Sequence, residues 1–76
     1  MPSDLKTLPP RFGEAVRRLR IESNLSQIEL AEKADLSRNY IGEIERGEKL
    51  ASLETIVRLA FGLGLKGAEL LAKAKI

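Results

Sequence analysis

Two short helical patterns, separated by a three-residue break within residues 25–47, constrain this chain more than any other stretch. Ser26 followed by Glu29 forms the capping-box pattern that begins a helix, and apolar residues then continue at helical spacing. Asp35 stands at the break, and aspartate tolerates the left-handed backbone conformation of a sharp turn. Ser37 caps the second helix before a glycine ends it. The pattern predicts a helix-turn-helix whose second helix exposes its N-terminal end.

The rest of the chain predicts three further helices around this pair. The first runs from Pro10 to about Glu22, the fourth follows a cap at Ser52, and the fifth begins near Lys66. Residues 1–9 are predicted to form a short N-terminal arm, because residues 1–8 are polar and irregular and Pro9-Pro10 blocks a helix before it. Residues 10–76 then form one domain, which includes a C-terminal dimerisation helix. The predicted fold class is all-α, with five helices.

The length and the apolar content of the chain fit one small core. Seventy-six residues with 43% hydrophobic side chains suffice for a compact helical bundle. The positions predicted to face this core are Phe12, Ala15, Val16, Leu19, Ile28, Leu30, Ala31, Ala34, Leu36, Ile41, Ile44, Leu53, Ile56, Leu59, Ala60 and Leu63. No apolar run approaches the roughly 20 residues of a membrane span, and no signal-peptide pattern is present. Together with the absence of cysteine, this predicts a cytoplasmic protein.

The residue types argue against an enzyme. The sequence has no histidine, no cysteine and no glycine-rich phosphate loop, and its carboxylates are scattered among lysines and arginines. We therefore predict no catalytic residues, no metal site and no cofactor. The net charge of +2 is modest, so nucleic-acid binding has to be argued from where the charges lie.

The central stretch LSQIELAEKADLSRNYIGEIERG resembles the core of the lambda-repressor-like (Cro/repressor, XRE-type) helix-turn-helix family, and most resembles the controller proteins of restriction–modification systems. The resemblance extends from about Phe12 to Leu71. Its other motifs are Val16-Arg17-Arg18-Leu19-Arg20, Leu25-Ser26-Gln27, Glu29-Leu30-Ala31, Ile44-Glu45-Arg46-Gly47 and Glu69-Leu70-Leu71. Asp35 and Ala51 depart from the glycine and the proline that are common in the family. The resemblance implies a homodimeric transcriptional regulator of a short palindromic or pseudo-palindromic operator in double-stranded DNA.

The exposed start of the second motif helix carries the candidate base-reading residues. Arg38 suits guanine through O6 and N7, and Asn39 suits adenine through N6 and N7. Tyr40 contacts a thymine methyl group or a phosphate, and it resembles a recurrent DNA-contacting tyrosine of the controller proteins. Ser37 is also a candidate DNA-binding residue, because it lies at the same end of this helix. The resemblance also makes Glu43 a base reader; it either accepts from cytosine N4 or only repels phosphate, and both alternatives stay open.

A second group of residues is expected to position the protein or to hold it together. By resemblance, Gln27 contacts a backbone phosphate at a helix N-terminus. Arg46 and Lys49 are placed to reach flanking phosphates, although a cation there also complements the helix dipole. The resemblance assigns Arg20 and Glu45 to a largely buried ion pair that joins the opening helix to the recognition helix.

The C-terminal part of the chain has more apolar residues than one small face needs. Leu65, Leu70, Leu71 and Ile76 are predicted to form a dimer interface, together with Phe61 where the family usually has a polar residue. Two copies related by a two-fold axis would present their recognition helices roughly 34 Å apart, one turn of DNA. The alternative is that some of these residues close the core of the monomer.

Two other partners enter as expectations. RNA polymerase is a candidate because acidic Glu43 and Glu48 flank the recognition helix. An antitoxin or another protein-interaction module of the same fold is the alternative function. It has less support, because the chain ends about five residues after Leu71 and leaves little room for a tail that binds a toxin.

Overall fold

The computed structural model describes residues 5–76 and contains five α-helices in the predicted order, with no strand in that range. A 3₁₀ turn at Leu5–Thr7 precedes α1 (Leu8–Glu22), α2 (Gln27–Ala34), α3 (Arg38–Glu45), α4 (Leu53–Gly62) and α5 (Gly67–Lys73). The all-α prediction is therefore confirmed. None of these helices is long and apolar enough to cross a membrane.

The turn between α2 and α3 has the local structure that the sequence predicts. The Ser26 hydroxyl accepts from the Glu29 amide at 3.0 Å, and the Ser26 amide donates to the Glu29 carboxylate at 2.8 Å. The hydrogen bond from the Ser26 amide and, second to it, the hydrogen bond with the Ser26 hydroxyl lower the pKa of Glu29. Asp35 adopts the left-handed conformation with φ 56° and ψ 49°, and the Ser37 hydroxyl accepts from the Tyr40 amide at 3.1 Å. The helix-turn-helix is thus specified by short-range hydrogen bonds.

The core lies where α1 packs on α3 and where α2 packs on α3 and α4, with α5 closing the far side. Its largest fully buried side chains are Val16, Leu30, Ile41, Ile44, Leu59 and Leu70. Each helix contributes at least one of these side chains, so detachment of any helix from the bundle would open a cavity in the core.

Two predicted core positions face solvent instead. Ile28 is 54% exposed and Leu53 is 76% exposed. Each lies two residues before a buried position, Leu30 on α2 and Thr55 on α4, and two residues rotate a side chain by about 200° around a helix. The prediction for both residues was wrong, because apolar character alone does not determine whether a side chain faces the core or the solvent.

The N-terminal boundary also differs from the prediction. Helix α1 begins at Leu8, two residues before the predicted start at Pro10. Pro9 and Pro10 lie in its first turn, where a missing amide hydrogen costs no helical bond. The predicted arm, residues 1–9, therefore does not extend to residue 9. Its residues 1–4 lie outside the described residues.

The backbones of α1 and α3 approach very closely at Gly13. A Cβ atom at Gly13 would overlap the carbonyl oxygen of Ile44 and would lie 2.9 Å from that of Glu45. Just beyond α3, Gly47 has φ +73°, and a Cβ there would lie 2.8 Å from the Cα of Pro10. The two glycines therefore let the start of α1 rest directly on the end of α3, which fixes the tilt of the recognition helix.

We expect Gly13→Ala to lower the free energy of unfolding by about 1–3 kcal/mol or more, because backbone on α3 must move to admit the methyl group. Urea denaturation followed by circular dichroism measures this. The matched control is Gly67→Ala, whose Cβ would lie at an ordinary 3.7 Å from Val57 and should leave stability unchanged or slightly raised. Equal stability of Gly13→Ala and the wild type would contradict the close approach.

Candidate DNA-binding surface

Helix α3 is divided sharply into a buried side and an exposed side. Ile41 and Ile44 are fully buried, whereas Arg38 and Asn39 are exposed at its N-terminal end. Beside this end lies a shallow polar depression of about 240 Å³, lined by Gln27, Arg38, Asn39, Gly42, Glu43 and Arg46. The fold thus brings five of the eight predicted DNA-binding residues into one concave surface.

The depression is rich in hydrogen-bond donors that suit nucleic acid. Arg38 supplies a planar fork of N–H groups, and Asn39 supplies both a donor and an acceptor. Within residues 5–76 neither side chain has a hydrogen-bond or ion-pair partner, so both are available to a ligand. In the same range no group of carboxylates is arranged to hold a metal ion.

Ser37 and Tyr40 have contacts that make them part of the scaffold. The Ser37 hydroxyl is the N-cap of α3. Tyr40 is half-buried against the core, and its hydroxyl lies 3.3 Å from the Thr55 hydroxyl, which in turn accepts from Ser52 at 3.0 Å. These hydroxyls connect α3 to the start of α4. A direct DNA contact by Ser37 or Tyr40 stays a prediction.

Arg20 and Glu45 form a bidentate ion pair beneath the surface. Arg20 Nε donates to Glu45 Oε2 at 2.6 Å and Nη2 donates to Oε1 at 3.0 Å, with the two side chains 12% and 3% exposed. The hydrogen bond to Glu45 raises the pKa of Arg20. A third guanidinium N–H donates to the Leu25 carbonyl at 2.9 Å. One arginine therefore links α1, the loop before α2 and the end of α3.

The same carboxylate also holds Gln27, a contact that the sequence did not reveal. Gln27 Nε2 donates to Glu45 Oε1 at 3.1 Å. Because an amide nitrogen has two N–H groups, one remains for a ligand. Gln27 is therefore positioned by the buried ion pair at the edge of the depression, where the start of α2 favours an anion.

Arg46 and Lys49 are both engaged by carboxylates of the chain. Arg46 donates through Nε and Nη2 to Glu48 at 2.7 and 3.2 Å, and Lys49 Nζ lies 3.6 Å from Glu43 Oε2. The bond to Glu48 raises the pKa of Arg46, and the same bond lowers the pKa of Glu48. Sequence reasoning placed all four residues near the recognition helix but missed both pairings. The only available signal was the proximity of opposite charges around Gly47.

The predicted dimer residues fall into three groups. Phe61 is 77% exposed and Ile76 is 50% exposed, whereas Leu65 and Leu71 are half-buried against the core. Leu70 is fully buried, so its assignment to a dimer interface was wrong. Its side chain points from α5 into the monomer core, because one face of that short helix must cover the other helices.

Exposed apolar residues along α4 were missed as a group. Leu53, Val57 and Phe61 recur every four residues and are 76%, 54% and 77% exposed. This α4 stripe, as we call these three residues, covers one side of the helix over two turns. Four-residue spacing was visible in the sequence, but Leu53 was assigned to the core and Val57 to neither side.

Comparison with known proteins matches this architecture to one family. A family model described as helix-turn-helix (HTH_3) matches residues 16–70, which include the buried ion pair, both motif helices and α4. This chain belongs to the XRE-type helix-turn-helix family. The members it matches are transcriptional regulators rather than enzymes, and this regulator shares their DNA-binding helix-turn-helix.

Several relatives of this regulator are named as control proteins. The chain is 44% identical over 61 residues to control protein C.BamHI of Bacillus amyloliquefaciens, covering 79% of this chain and 75% of that protein. It is 43% identical over 62 residues to control protein C.SmaI of Serratia marcescens, covering 82% and 74%. The crystal structure of the restriction–modification controller protein C.AhdI from Aeromonas hydrophila superposes with a TM-score of 0.77 at 41% identity, over 80% of this chain and 92% of that chain. The fold is thus lambda-repressor-like, as the sequence predicted.

We expect Glu45→Ala to lower the free energy of unfolding by about 3–5 kcal/mol, because it leaves the guanidinium of Arg20 buried without its partner. A sharply lower melting temperature in a thermal denaturation experiment is the readout. As a control, Glu54→Ala removes an exposed carboxylate from Arg58 on α4 and should leave the melting temperature nearly unchanged. If the melting temperature of Glu45→Ala equals that of the wild type, the ion pair does not stabilise the fold.

Proposed function

We propose that this regulator acts as a homodimer that reads a short palindromic or pseudo-palindromic operator, with α3 in the major groove. The observation that carries the proposal is the concave donor-rich surface at the start of α3, where Arg38 and Asn39 have no partner within residues 5–76. A helix-turn-helix inserts this end of its second helix between the phosphate backbones. DNA would satisfy both side chains at once. As a regulator of cellular DNA, the protein would act in the cytoplasm.

The residues of the surface divide by the part of DNA that they fit. Arg38 is assigned to guanine and Asn39 to adenine, because each can form two hydrogen bonds to that base in the major groove. Gln27 and Arg46 line the same depression, and Lys49 is ion-paired with Glu43 in it. All three are assigned to phosphates, which fix the orientation on the duplex. Glu43 is ion-paired with Lys49, and its two expected roles, accepting from cytosine N4 and repelling phosphate, keep equal weight.

The homodimer is supported by large apolar side chains that the monomer leaves exposed. The α4 stripe, with Ile76, leaves four large apolar side chains at least half exposed. A second copy would cover them through a two-fold axis, and small regulators gain both stability and operator affinity from pairing. Occupancy of the operator would then follow the concentration of the protein itself. A contact with RNA polymerase has less support, because Glu43 and Glu48 are both paired within the chain.

We expect the wild-type protein to select, from a randomised duplex library near physiological salt, two inverted half-sites about one helical turn apart. Arg38→Ala should cost about 1–3 kcal/mol on the selected site and relax preference at one base pair per half-site. Arg38→Lys is the matched variant, since it keeps the charge but loses the planar fork. A uniform loss across all sequences would make Arg38 a phosphate contact. No enrichment by a folded wild type would favour a protein partner instead of DNA.

We expect Phe61→Asp to shift the protein from dimer to monomer at micromolar concentration, because the charge would be buried between two copies. Sedimentation velocity measures the shift, and the melting profile of the monomer reports that the chain still folds. Ile28→Asp is the control, since Ile28 is a comparably apolar, 54% exposed residue on α2, outside the α4 stripe. A wild-type monomer, or equal dissociation by both variants, would contradict the proposed interface.

A further inference from the structure

The cations of the DNA-binding surface are in two different states. Arg38 has no partner within residues 5–76, whereas Arg46 donates through Nε and Nη2 to a carboxylate of the same chain. Both guanidinium groups line the same polar depression. The free protein therefore presents its base reader uncovered and one of its phosphate contacts already occupied.

The contact between Arg46 and Glu48 has the geometry of phosphate recognition. Two parallel N–H groups, Nε and Nη2, donate to the two carboxylate oxygens at 2.7 and 3.2 Å. Arginine uses this same planar fork to bind two oxygens of a phosphate. The Glu48 carboxylate thus stands where a phosphate group would bind.

Local backbone structure places this carboxylate. Gly47, with φ +73°, ends α3, and the amides of Gly47 and Glu48 donate to the carbonyls of Ile44 and Glu43 at 3.0 and 2.9 Å. This closing turn brings residue 48 back beside residue 46. On the other side, the guanidinium lies over Gly42, where a Cβ would be 2.9 Å from Nη1. Both glycines therefore favour the paired position of Arg46.

Stability does not explain the pair. The side chains of Arg46 and Glu48 are 59% and 54% exposed, and exposed ion pairs contribute little to folding. The same exposure means that an incoming phosphate can replace the carboxylate without opening the core. The pair is weak enough to exchange and well enough aligned to compete.

We propose that Glu48 limits the affinity of this protein for DNA: it is an internal counterion that occupies the phosphate-binding fork of Arg46 until a correctly aligned DNA phosphate displaces it. The inference rests on the proposed DNA-binding function. On a loosely docked duplex the pair stays closed, and Arg46 adds no net charge. Only close docking of α3 brings a phosphate into the fork. The operator complex must break the pair, whereas the loosely docked complex keeps it. Glu48 therefore lowers affinity for the operator more than affinity for unrelated sequences.

The test measures affinity of the full chain for a random-sequence duplex and for the selected operator between about 50 and 200 mM salt. Glu48→Gln should raise operator affinity about two- to fivefold. It should raise random-duplex affinity by less, which widens the ratio between operator affinity and random-duplex affinity. On the random duplex it should also steepen the salt dependence by about one unit of slope, because Arg46 is then free to replace a counterion on DNA. In an Arg46→Gln background the same substitution should raise affinity no more than Glu32→Gln does.

Glu32→Gln provides the matched control, because it removes an equal charge from an exposed carboxylate on α2 that has no partner within residues 5–76. Equal gains from Glu32→Gln and Glu48→Gln, or an undiminished gain in the Arg46→Gln background, would overturn the inference while leaving DNA binding intact. An equal gain on operator and random duplex would also overturn it. Failure of the folded wild type to bind any duplex would overturn the inference and the proposed function together.

Discussion

The buried carboxylate of Glu45 is the point on which the arrangement of the DNA-binding surface depends. It accepts two hydrogen bonds from Arg20 on α1 and one from Gln27 at the start of α2, while it is itself attached to the end of α3. An ion pair excluded from water is stable only when nearly all its hydrogen-bonding groups are satisfied, and no buried side-chain polar atom among the described residues lacks a partner. The side chain of Glu45 thereby links α1, α2 and α3 and helps to fix their relative orientation.

Electrostatics serves two opposite purposes within a short distance along the chain. The Arg20–Glu45 pair is buried and fixed, so its strength goes into geometry. The Arg46–Glu48 pair is exposed, and in the proposed mechanism a phosphate replaces its carboxylate because such a pair is weak. Adjacent residues, Glu45 and Arg46, therefore belong to different systems: one faces α1 through the core, and the other faces the solvent where DNA would lie.

Features that depend on neighbours in sequence were predictable, and features that depend on packing were not. The Ser26 cap and the left-handed Asp35 follow from residues three or four positions away, so the sequence alone specifies them. The burial of Leu70 and the exposure of Leu53 depend on which helix covers which face, and apolar character cannot distinguish these cases. The contact of Gly13 with α3 was likewise hidden, because a glycine does not reveal which distant backbone it admits.

The residues that orient α3 differ from the residues that α3 exposes, and this bears on how such a protein diversifies. Arg38 and Asn39 have no partner within residues 5–76, while the orientation of their helix is set from behind by Gly13 and Glu45. Substitutions at the two exposed positions therefore carry almost no folding penalty. With the proposed base-reading role of these two positions, one scaffold could acquire a new target sequence through a few changes. Duplicated copies could then diverge in sequence preference without passing through unfolded intermediates.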